Sequence, residues 1–504
     1  MPSTSPFVGR EFGILLHPSS LFGHDGIGTF GAEAYQFVDW LATTGAGIWQ
    51  ILPLTLNGQY DSPYFSYSAF AGNPWLIDLQ HLHDAGLLPD PHLHQQEIDT
   101  RVSFTDLART KRPQLLAAAE ALLLDDAHPW RERLEEFRKK HDWLADTAHF
   151  FTLKGEFADS PWWRWPEPLR TRDPRAVSAS ARQFTDRIAV WEALFFFADL
   201  QWSALKLHAN VKGIRVLGDL PIYVSHDSAD VWLHQEQFQL DADGALFAQS
   251  GVPPDYFSET GQLWGNPLYR WDLMAQDDFS WWVQRLRRCL ELTDVVRIDH
   301  FRALSAYWEV PVDAADARRG RWVAGPGQAF FDVLAREFDG LPFVAEDLGT
   351  LDADVHSLRD ANSLVGMRIL QFGFDGLPDN PHQPHAFPTS CIAYTGTHDN
   401  QTLAGWWSGL DPRIRDEVAR YYQIAPDADI GGVVWSFIEA AMGSRAELAV
   451  IPVQDLHVLD DRGRMNDPSV FVGNWSWRMS PDGLSRELAE SLHRLAERYG
   501  RLRN

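Results

Sequence analysis

Eight short apolar runs, rich in β-branched residues and ending in polar residues or glycine, recur along the chain and predict eight β-strands. Amphipathic segments with helical periodicity lie between most of these runs. Strands that alternate with helices indicate a parallel sheet, and eight such units indicate a closed (β/α)₈ TIM barrel of the α/β class. A doubly wound open sheet is the alternative that the pattern leaves open. The predicted strands are residues 13–16, 47–54, 213–222, 295–300, 342–348, 366–372, 391–397 and 446–456, and the predicted helices are residues 31–44, 186–209, 278–293, 325–338 and 412–422.

Large insertions are required, because a barrel of this kind uses about 250 residues and the chain has 504. We interpret residues 1–504 as a single catalytic barrel unit with large, mostly helical insertions after strands 2 and 3. Residues 57–185 form the first insertion. Residues 223–277 form the second, in which Asp243-Gly244 predicts a hairpin turn. About fifty residues follow the eighth strand, so we expect no separate C-terminal β-sandwich domain.

The bulk composition restricts the kinds of partner and compartment. A formal net charge of −25 disfavours nucleic acid and membrane surfaces and favours a neutral ligand. Only two cysteines, Cys289 and Cys391, occur, so no disulfide framework is predicted and a reducing compartment is favoured. The N-terminal stretch lacks the pattern of a signal peptide, and the uninterrupted apolar runs are too short to span a bilayer. We therefore expect a cytoplasmic protein.

Two charged residues interrupt the predicted strand at residues 295–299, which reads VVRID. Side chains alternate along a strand, so Arg297 and Asp299 lie on the same face. A guanidinium beside a carboxylate lowers its pKa, and an ionised, oriented carboxylate can serve as a nucleophile. A purely structural ion pair is the alternative interpretation.

Polar residues collect at the C-terminal ends of the predicted strands, where barrel enzymes carry their chemistry. A cluster of acids suits glycoside chemistry, which needs a nucleophile and a proton donor, or a metal-dependent sugar isomerase, which needs ligands. Only His300 and His398 lie near these ends and no metal-ligand spacing is present, so we predict no metal site. Asp347 and Asp455 fit helix caps or loop acceptors instead. The strand-end residues are Asp219, Asp299, Glu346, Asp347, His398, Asp399, Gln454 and Asp455.

Three motifs, VVRIDHFRAL, FVAEDLG and YTGTHDN, resemble in this order the nucleophile, acid/base and third-carboxylate motifs of the α-amylase clan. The flanking stretches GILLHPSSL, DSPYFSYSAFAGNPWLIDL, GDLPIYVSHDSADVW, GVPPDYFSETGQLWGNPLY and RMNDP followed by GNWSWR are similar to the amylomaltase, or 4-α-glucanotransferase, family. The resemblance covers nearly the whole chain and is weakest at about residues 87–185. The chain departs from the family pattern on the acceptor side: it has NGQYDSPY where the family reads like GYGDSPY, and LHVLDDRGRMNDPSV where the family has a glycine-rich run leading to N-x-P-G-T.

The resemblance implies a retaining 4-α-glucanotransferase that passes α-1,4-glucan segments to a 4-hydroxyl through a covalent glycosyl-enzyme, without a cofactor. It implies Asp299 as nucleophile, Glu346 as general acid and base, and Asp399 as the carboxylate that stabilises the transition state. The apolar Phe-Val-Ala before Glu346 can raise its pKa. Maltooligosaccharides and α-1,4-glucans are the expected partners, and a monomer or small homo-oligomer the expected assembly. The implied substrate-binding residues are Ser62, Tyr64, Asp219, Tyr256, Gln262, Trp264, Arg297, Phe372, His398 and Asn466.

A transferase must keep water from the glycosyl-enzyme, and the loop at residues 249–265 is the candidate cover. It has glycines at 251, 261 and 265 as possible hinges, and Tyr256, Phe257 and Trp264 as apolar surface. The alternative is that this loop packs permanently against the helical insertion. Three other functions stay open: an amylase-like hydrolase, a non-catalytic glucan-binding barrel and a metal-dependent isomerase.

Overall fold

The computed structural model describes residues 5–7, 9–89, 100–254, 258–349, 351–376 and 380–503. Eight parallel strands form its central sheet. They are β1 (Glu11–Leu15), β2 (Ile48–Gln50), β3 (Arg215–Leu220), β4 (Val295–Ile298), β5 (Phe343–Ala345), β6 (Gly366–Ile369), β7 (Cys391–Tyr394) and β8 (Leu448–Pro452).

The sheet closes on itself in the order β6-β7-β8-β1-β2-β3-β4-β5. A parallel bridge between Val344 and Val365 joins the two ends, and the Ala345 N–H donates to the Val365 carbonyl at 2.8 Å. The predicted (β/α)₈ barrel is therefore confirmed, and the open-sheet alternative is wrong.

Seven of the eight strands lie inside the predicted runs, and only β1 begins earlier, at Glu11. The strands end before the runs do. Pro53 and Pro221 follow β2 and β3 closely, and Pro452 is the last residue of β8. A proline has no N–H to donate, so it limits the hydrogen-bond ladder. The chain after these prolines turns into the loops that surround the barrel mouth.

The helices surround the barrel and build the first insertion. The C-terminal helix is capped by Ser485, whose side chain accepts from the Leu488 N–H, and it ends at Gly500, whose φ of 62° suits glycine. The helices are α1 (Ala32–Thr44), α2 (Leu79–Asp84), α3 (Phe104–Leu124), α4 (Trp130–Lys140), α5 (Trp143–Glu156), α6 (Glu167–Arg170), α7 (Pro174–Gln183), α8 (Thr185–Val211), α9 (Ala229–Leu233), α10 (Trp271–Met274), α11 (Ser280–Leu292), α12 (Gly327–Glu337), α13 (Ala353–Ala361), α14 (Leu403–Gly409), α15 (Pro412–Tyr422), α16 (Ile430–Gly443), α17 (Val453–Leu456) and α18 (Arg486–Tyr499).

Helix α8 links the first insertion to the barrel. It packs against α3, α4 and α5 of the insertion and also against β3. Its length and composition would allow it to cross a membrane, but 67% of its most apolar window is buried inside the protein. The core helix of a soluble protein has the same properties, so we interpret α8 as a core helix.

The insertion after β3 differs from the prediction. It supplies two strands, Ala248–Val252 and Gln262–Pro267, to a four-stranded antiparallel sheet, which we call the accessory sheet. The other two strands, Ala306–Pro311 and Arg321–Ala324, come from the segment after β4. The prediction of a mostly helical insertion after strand 3 is therefore wrong. Its strand Ala248–Val252 pairs with Ala306–Pro311, about sixty positions further along the chain, and a local sequence pattern carries no signal for such pairing.

The predicted turn at Asp243-Gly244 is confirmed. An antiparallel bridge joins Leu240 to Leu246, and the Asp241 carboxylate accepts from the N–H groups of Asp243 and Ala245, each at 2.9 Å. Asp241 thus stabilises the turn as a local hydrogen-bond acceptor.

Candidate active site

Arg297 is a buried residue that pairs with two acids at the ends of the strands. Its Nη1 donates to both carboxylate oxygens of Asp219, at 2.7 and 2.8 Å, and its Nη2 lies 2.9 Å from Asp299 Oδ1. Asp219 is paired with Arg297 in the register of β3 and β4. The Arg297 side chain is 4% exposed and that of Asp219 is fully buried, whereas Asp299 is 29% exposed. Asp299 is therefore the member of this ion-pair group that faces the open mouth.

The protonation of Asp299 reflects opposing effects. Burial raises its pKa, Arg297 lowers it, and the carboxylates of Asp219 and Asp399 raise it again, to about 6. The prediction that Arg297 lowers the pKa of Asp299 is wrong for the overall shift. Burial raises this pKa by more than the ion pair with Arg297 lowers it. At neutral pH the Asp299 carboxyl is still mostly ionised.

Glu346 follows β5 directly and has a different environment. Burial raises its pKa to about 8, against the lowering effect of Arg297 and with further raising by Asp299 and Asp347. The predicted upward shift after Phe-Val-Ala is confirmed. Glu346 Oε1 also accepts from the Leu348 N–H at 3.1 Å. At neutral pH Asp299 is thus mostly ionised, whereas Glu346 is mostly protonated.

Asp399 follows β7 and stays ionised. Burial alone would raise its pKa, but contacts with His398 and Asn466 outweigh burial and lower it to about 2. His398 Nε2 lies 3.2 Å from Asp399 Oδ2, and Asn466 Nδ2 donates to Asp399 Oδ1 at 2.6 Å. Burial would lower the His398 pKa, yet the Asp399 charge raises it above its usual value. Asp399 is thus a fixed negative charge beside a histidine that is easily protonated.

Tyr64 connects the Asp219 and His398 sides of the mouth. Its hydroxyl donates to Asp219 Oδ2 at 2.9 Å, and its ring stacks on His398 with centroids 5.1 Å apart. Ser62, which is buried, accepts from the Tyr64 N–H at 3.2 Å. Trp475 lies 5.5 Å from the Tyr64 ring and 5.9 Å from that of His398. This aromatic wall includes Trp475, which sequence reasoning missed although it belongs to the quoted GNWSWR stretch.

The accessory sheet contributes a second aromatic group, next to Asp299. Trp264 Nε1 donates to Gln262 Oε1 at 3.0 Å, and the Trp264 ring lies edge-to-face with His300, at 4.8 Å. His300 directly follows Asp299 and has a φ of 49°, a left-handed conformation that is uncommon for a non-glycine residue. Tyr223 lies 6.2 Å from the Trp264 ring. Sequence reasoning missed Tyr223 as a wall residue; its signal was the position two residues after Pro221 in the GDLPIYVSHD stretch.

Three buried polar atoms around the mouth have no hydrogen-bond partner within the described part of the chain: Tyr223 OH, His300 Nε2 and His398 Nδ1. Buried polar atoms are normally satisfied, so such atoms beside a cleft indicate groups that a ligand or water completes. Sugar hydroxyls can both donate and accept, and they match this mixed set.

The remaining predicted residues lie as follows. Phe372 is on the turn Leu370–Gly373 after β6, half-buried, with its ring edge-to-face with His382 at 5.6 Å. Tyr256 and Phe257 lie outside the described residues. Asp347 accepts from the Met367 N–H at 2.6 Å, and Asp455 accepts from the Leu403 N–H at 2.8 Å, as loop acceptors do. Among the described residues, no group of three or more His, Cys, Asp or Glu side chains could hold a metal ion.

Arg464 contacts the backbone of both Asp399 and Asn466 and so helps to position the Asp399 carboxylate. Its Nη2 donates to the Asp399 carbonyl at 2.6 Å, and its Nε donates to the Asn466 carbonyl at 2.8 Å. Its Nη1 lies 3.2 Å from Asp467 Oδ2. One guanidinium thereby fixes both the backbone that carries Asp399 and the loop that carries its partner Asn466.

We predict that Arg464→Ala lowers kcat/KM for the glucan transfer that the resemblance implies by about 10²-fold, because a small misplacement of Asp399 is costly. Arg464→Lys should recover little, since lysine lacks the planar fork of donors. The pH optimum should not move, because no titrating group of the mouth is removed. Arg462→Ala is the matched control, since its side chain is 90% exposed and pairs with Asp460 on the surface. Wild-type kcat/KM in the Arg464→Ala variant would contradict the positioning role.

Comparison with known proteins gives matches over nearly the whole chain. A family model described as 4-alpha-glucanotransferase matches residues 16–485. The chain is 44% identical over 505 residues to the 4-alpha-glucanotransferase of Thermus thermophilus, covering 98% of this chain and 99% of that protein. It is 41% identical over 509 residues to a chloroplastic/amyloplastic 4-alpha-glucanotransferase of Arabidopsis thaliana, covering 100% of this chain and 88% of that protein.

One solved structure resembles this chain over nearly its whole length. The amylomaltase of Streptococcus agalactiae in complex with acarbose has a TM-score of 0.94 and 35% sequence identity, with 98% of this chain and 100% of that chain covered. Fold and sequence comparisons therefore agree, and the chain belongs to the 4-alpha-glucanotransferase family.

Proposed function

We propose that this 4-alpha-glucanotransferase works by double displacement with retention of configuration, with Asp299 as nucleophile and Glu346 as general acid and then base. The observation that carries the proposal is the difference between two neighbouring carboxyls, with a pKa of about 6 for Asp299 and about 8 for Glu346. Glycoside chemistry needs this pair, one ionised and one protonated, in its retaining and in its inverting form. Retention also requires the two carboxyls to lie about 5–5.5 Å apart, which we expect here.

In the first step the Asp299 carboxylate attacks the anomeric carbon of an α-1,4-linked glucosyl unit. The bond to the glycosidic oxygen breaks, and Glu346 gives its proton to that oxygen, so a shorter glucan leaves with a free 4-hydroxyl. In the second step the Glu346 carboxylate takes the proton of an acceptor 4-hydroxyl. The acceptor oxygen attacks the same carbon, the ester to Asp299 breaks, and both carboxyls return to their starting states.

The other site residues are assigned supporting roles. Asp399, held by His398 and Asn466, provides a fixed negative charge for the oxocarbenium-like transition state. Arg297 orients Asp299 through their ion pair, and Asp219 holds Arg297 in place. The aromatic faces of Tyr64, Trp264 and Phe372 suit the apolar faces of glucose rings. Ser62, Gln262 and Tyr256 complete the proposed binding set. The segment at residues 249–265, whose two ends are strands of the accessory sheet, is proposed as the cover that excludes water.

The proposed substrates are maltooligosaccharides and longer α-1,4-glucans, handled by the whole chain as one catalytic unit. A cytoplasmic monomer or small homo-oligomer without nucleic-acid or membrane partners is also proposed. The acidic net charge supports this, as do the free thiols of Cys289 and Cys391, whose pKa values burial raises to about 11 and 12. Thiols of this kind are unreactive.

Incubation of the pure protein with maltotriose tests the proposed activity. Transfer yields glucose together with longer glucans and leaves the number of reducing ends unchanged. A rise in reducing ends matched to cleavage would show a hydrolase instead. The absence of any product would favour a non-catalytic glucan-binding barrel, and loss of activity on adding a chelator would favour a metal-dependent enzyme.

We predict a bell-shaped pH dependence of kcat/KM. Activity needs Asp299 ionised, so it should rise as the pH passes about 6, and it needs Glu346 protonated, so it should fall as the pH passes about 8. The two groups interact, so the limbs report the pair. In Glu346→Gln, assayed with a glycosyl fluoride, the alkaline limb should disappear while the acid limb stays. An alkaline limb that persists in this variant would contradict the assignment of Glu346.

A further inference from the structure

A small polar cavity of about 30 Å³ borders the ring of His398. It lies where the segments after β1, β7 and β8 meet, and these three strands are neighbours in the barrel. We call it the His398 cavity. A space of this size holds about two water molecules when polar groups surround it. Its lining includes His17, Ser20, His398, Gln454 and Met465.

The His398 ring is bonded at only one of its two nitrogens. Nε2 lies 3.2 Å from Asp399 Oδ2, whereas the buried Nδ1 has no hydrogen-bond partner among the residues that the structure describes. Stacking on Tyr64, with 14° between the ring planes, sets the plane of the His398 ring. Stacking does not determine which edge of the ring points at Asp399. A hydrogen bond at Nδ1 fixes that edge, because it holds the ring at a second point.

His17 presents a neutral ring to this cavity. Pro18 follows it and favours an extended conformation, which His17 adopts with φ −74° and ψ 143°. The Ser20 N–H donates to the His17 carbonyl at 2.9 Å and holds the turn that begins there. Burial, with a smaller contribution from the nearby His398, lowers the pKa of His17 to about 3. The His17 ring is therefore uncharged at neutral pH.

The tautomer of His17 follows from a backbone contact. The Leu52 N–H donates to His17 Nδ1 at 3.3 Å, so Nδ1 carries no proton. In a neutral imidazole the proton is then on the other nitrogen, Nε2. The ring of His17 thus accepts from the backbone at Nδ1 and has its Nε2–H as the donor that remains for the cavity.

Water in the His398 cavity finds both donors and acceptors. The Ser20 hydroxyl donates to Met465 Sδ at 3.6 Å, which leaves the hydroxyl oxygen as an acceptor. The buried amide of Gln454, one of the predicted strand-end residues, can both donate and accept. Together with His17 Nε2–H and His398 Nδ1, these groups supply the roughly three partners that a buried water normally has.

We propose that His17 is a positioning residue for the transfer reaction: its Nε2–H donates to water in the His398 cavity, and this water hydrogen-bonds His398 Nδ1, so that His398 Nε2 stays directed at Asp399. The inference rests on the proposed function, in which Asp399 provides the fixed negative charge. His17 acts through His398 and not on the substrate. It also gives a role to the GILLHPSSL stretch, to which the resemblance assigned no site residue.

Two substitutions separate the two nitrogens of His17. Glutamine places an amide N–H near the position of Nε2, and asparagine places its oxygen near that of Nδ1. His17→Asn should keep the bond from the Leu52 N–H and lose the donor to the cavity, so kcat for maltotriose transfer should fall by about tenfold. His17→Gln should stay within about threefold of wild type, because it keeps the donor to water. KM should change by less than about twofold in both variants, since Asp399 is proposed to act on the transition state.

A double-mutant cycle tests whether His17 acts through His398. His398→Gln keeps a donor for Asp399 but has no atom at the position of Nδ1, so it lowers kcat itself and removes the contact with the cavity water. In that background His17→Asn should cost less than about twofold, because the interaction that it breaks is already gone. His149→Asn is the matched control. His149 is another buried histidine, 2% exposed and bonded to Ser180 in the first insertion, and its loss should lower the melting temperature but leave kcat unchanged.

A crystal structure of the wild-type chain that resolves ordered water tests the proposal without turnover. One water, or a pair of bonded waters, should connect His17 Nε2 to His398 Nδ1. Four results would each overturn the proposal: no water between the two rings, equal losses in His17→Asn and His17→Gln, a rate retained by His17→Asn alone, or a full loss that persists beside His398→Gln. A wild-type chain that holds this water but fails to transfer maltotriose would contradict the proposed function, while the water would still support the link from His17 to His398.

Discussion

Replacing Asp299 with alanine is expected to reduce glucan transfer by about 10⁵-fold or more, which corresponds to about 7 kcal/mol of transition-state stabilisation. The side chain removed is the only one of the ion-pair group that is partly exposed to the mouth, at 29%. Without it no covalent glycosyl-enzyme forms, and Asp219 cannot replace it, because its carboxylate is fully buried against Arg297. The measurement is kcat/KM for maltotriose disproportionation.

The control for Asp299 is at the other end of the same strand. Asp294 accepts from the Val216 N–H at 2.8 Å and lies just before β4, away from the mouth. Asp294→Asn should lower the melting temperature but leave kcat/KM close to the wild-type value. Asp299→Ala should instead lower kcat/KM and leave the melting temperature close to the wild-type value. Residual transfer by Asp299→Ala within about tenfold of wild type would contradict its role as nucleophile.

Replacing Glu346 with glutamine is expected to lower the rate on maltotriose by about 10²- to 10⁴-fold, the usual contribution of a general acid. Binding should persist, because glutamine keeps the size and hydrogen-bonding capacity of the neutral acid. An α-maltosyl fluoride needs no protonation of its leaving group, so its first step should proceed at close to the wild-type rate. A stopped-flow measurement of fluoride release reports that step.

Measuring the folding stability of Glu346→Gln shows whether a loss of rate comes from lost chemistry or from unfolding. Burial raises the Glu346 pKa to about 8, above the usual value of a glutamate in the unfolded chain. The unfolded state therefore releases its proton at a lower pH than the folded state, so the native stability that this group contributes falls as the pH rises from about 4.5 towards 8. Glutamine removes this loss, and Glu346→Gln should be at least as stable as wild type at pH 8. Equal losses of rate on maltotriose and on the fluoride would show that Glu346 is not the acid.

The barrel was predictable because each of its strands carries a local signal. Runs such as Val295–Ile298 are short, β-branched and followed by a polar residue, and β-strands of a parallel barrel are buried on both faces. The strand ends also placed Asp299, Glu346 and Asp399 on one side of the barrel. That convergence follows from topology alone, because the C-terminal ends of parallel strands meet at one mouth.

The accessory sheet was not predictable in the same way. Ser250 and Gly251 pair with Glu309 and Trp308, on strands separated by β4. Nothing local marks the polar, glycine-containing run Ala248–Val252 as a strand. The consequence for the site is that one wall, with Trp264 over His300, is built on a sheet rather than on a helical insertion.

The protonation states needed the structure as well. The sequence places Arg297 beside Asp299, which lowers the pKa of the carboxyl, but it does not give the depth of burial or the positions of Asp219 and Asp399, which raise it. Wall residues such as Tyr223 and Trp475 were missed for a related reason. An aromatic side chain in a loop lies in the hydrophobic core as often as on a ligand-binding surface. Only the residues that surround it in the structure distinguish the two.

Identification of the covalent intermediate tests the central claim most directly. The Glu346→Gln chain is mixed with α-maltotriosyl fluoride without an acceptor, quenched with acid, digested and analysed by mass spectrometry. The first step needs no acid and the second lacks its base, so the glycosyl-enzyme should accumulate. We predict one maltotriosyl group per chain, attached to Asp299, and none when Asp299→Ala is added. No adduct while fluoride is released, or an adduct on any other residue, would contradict the account.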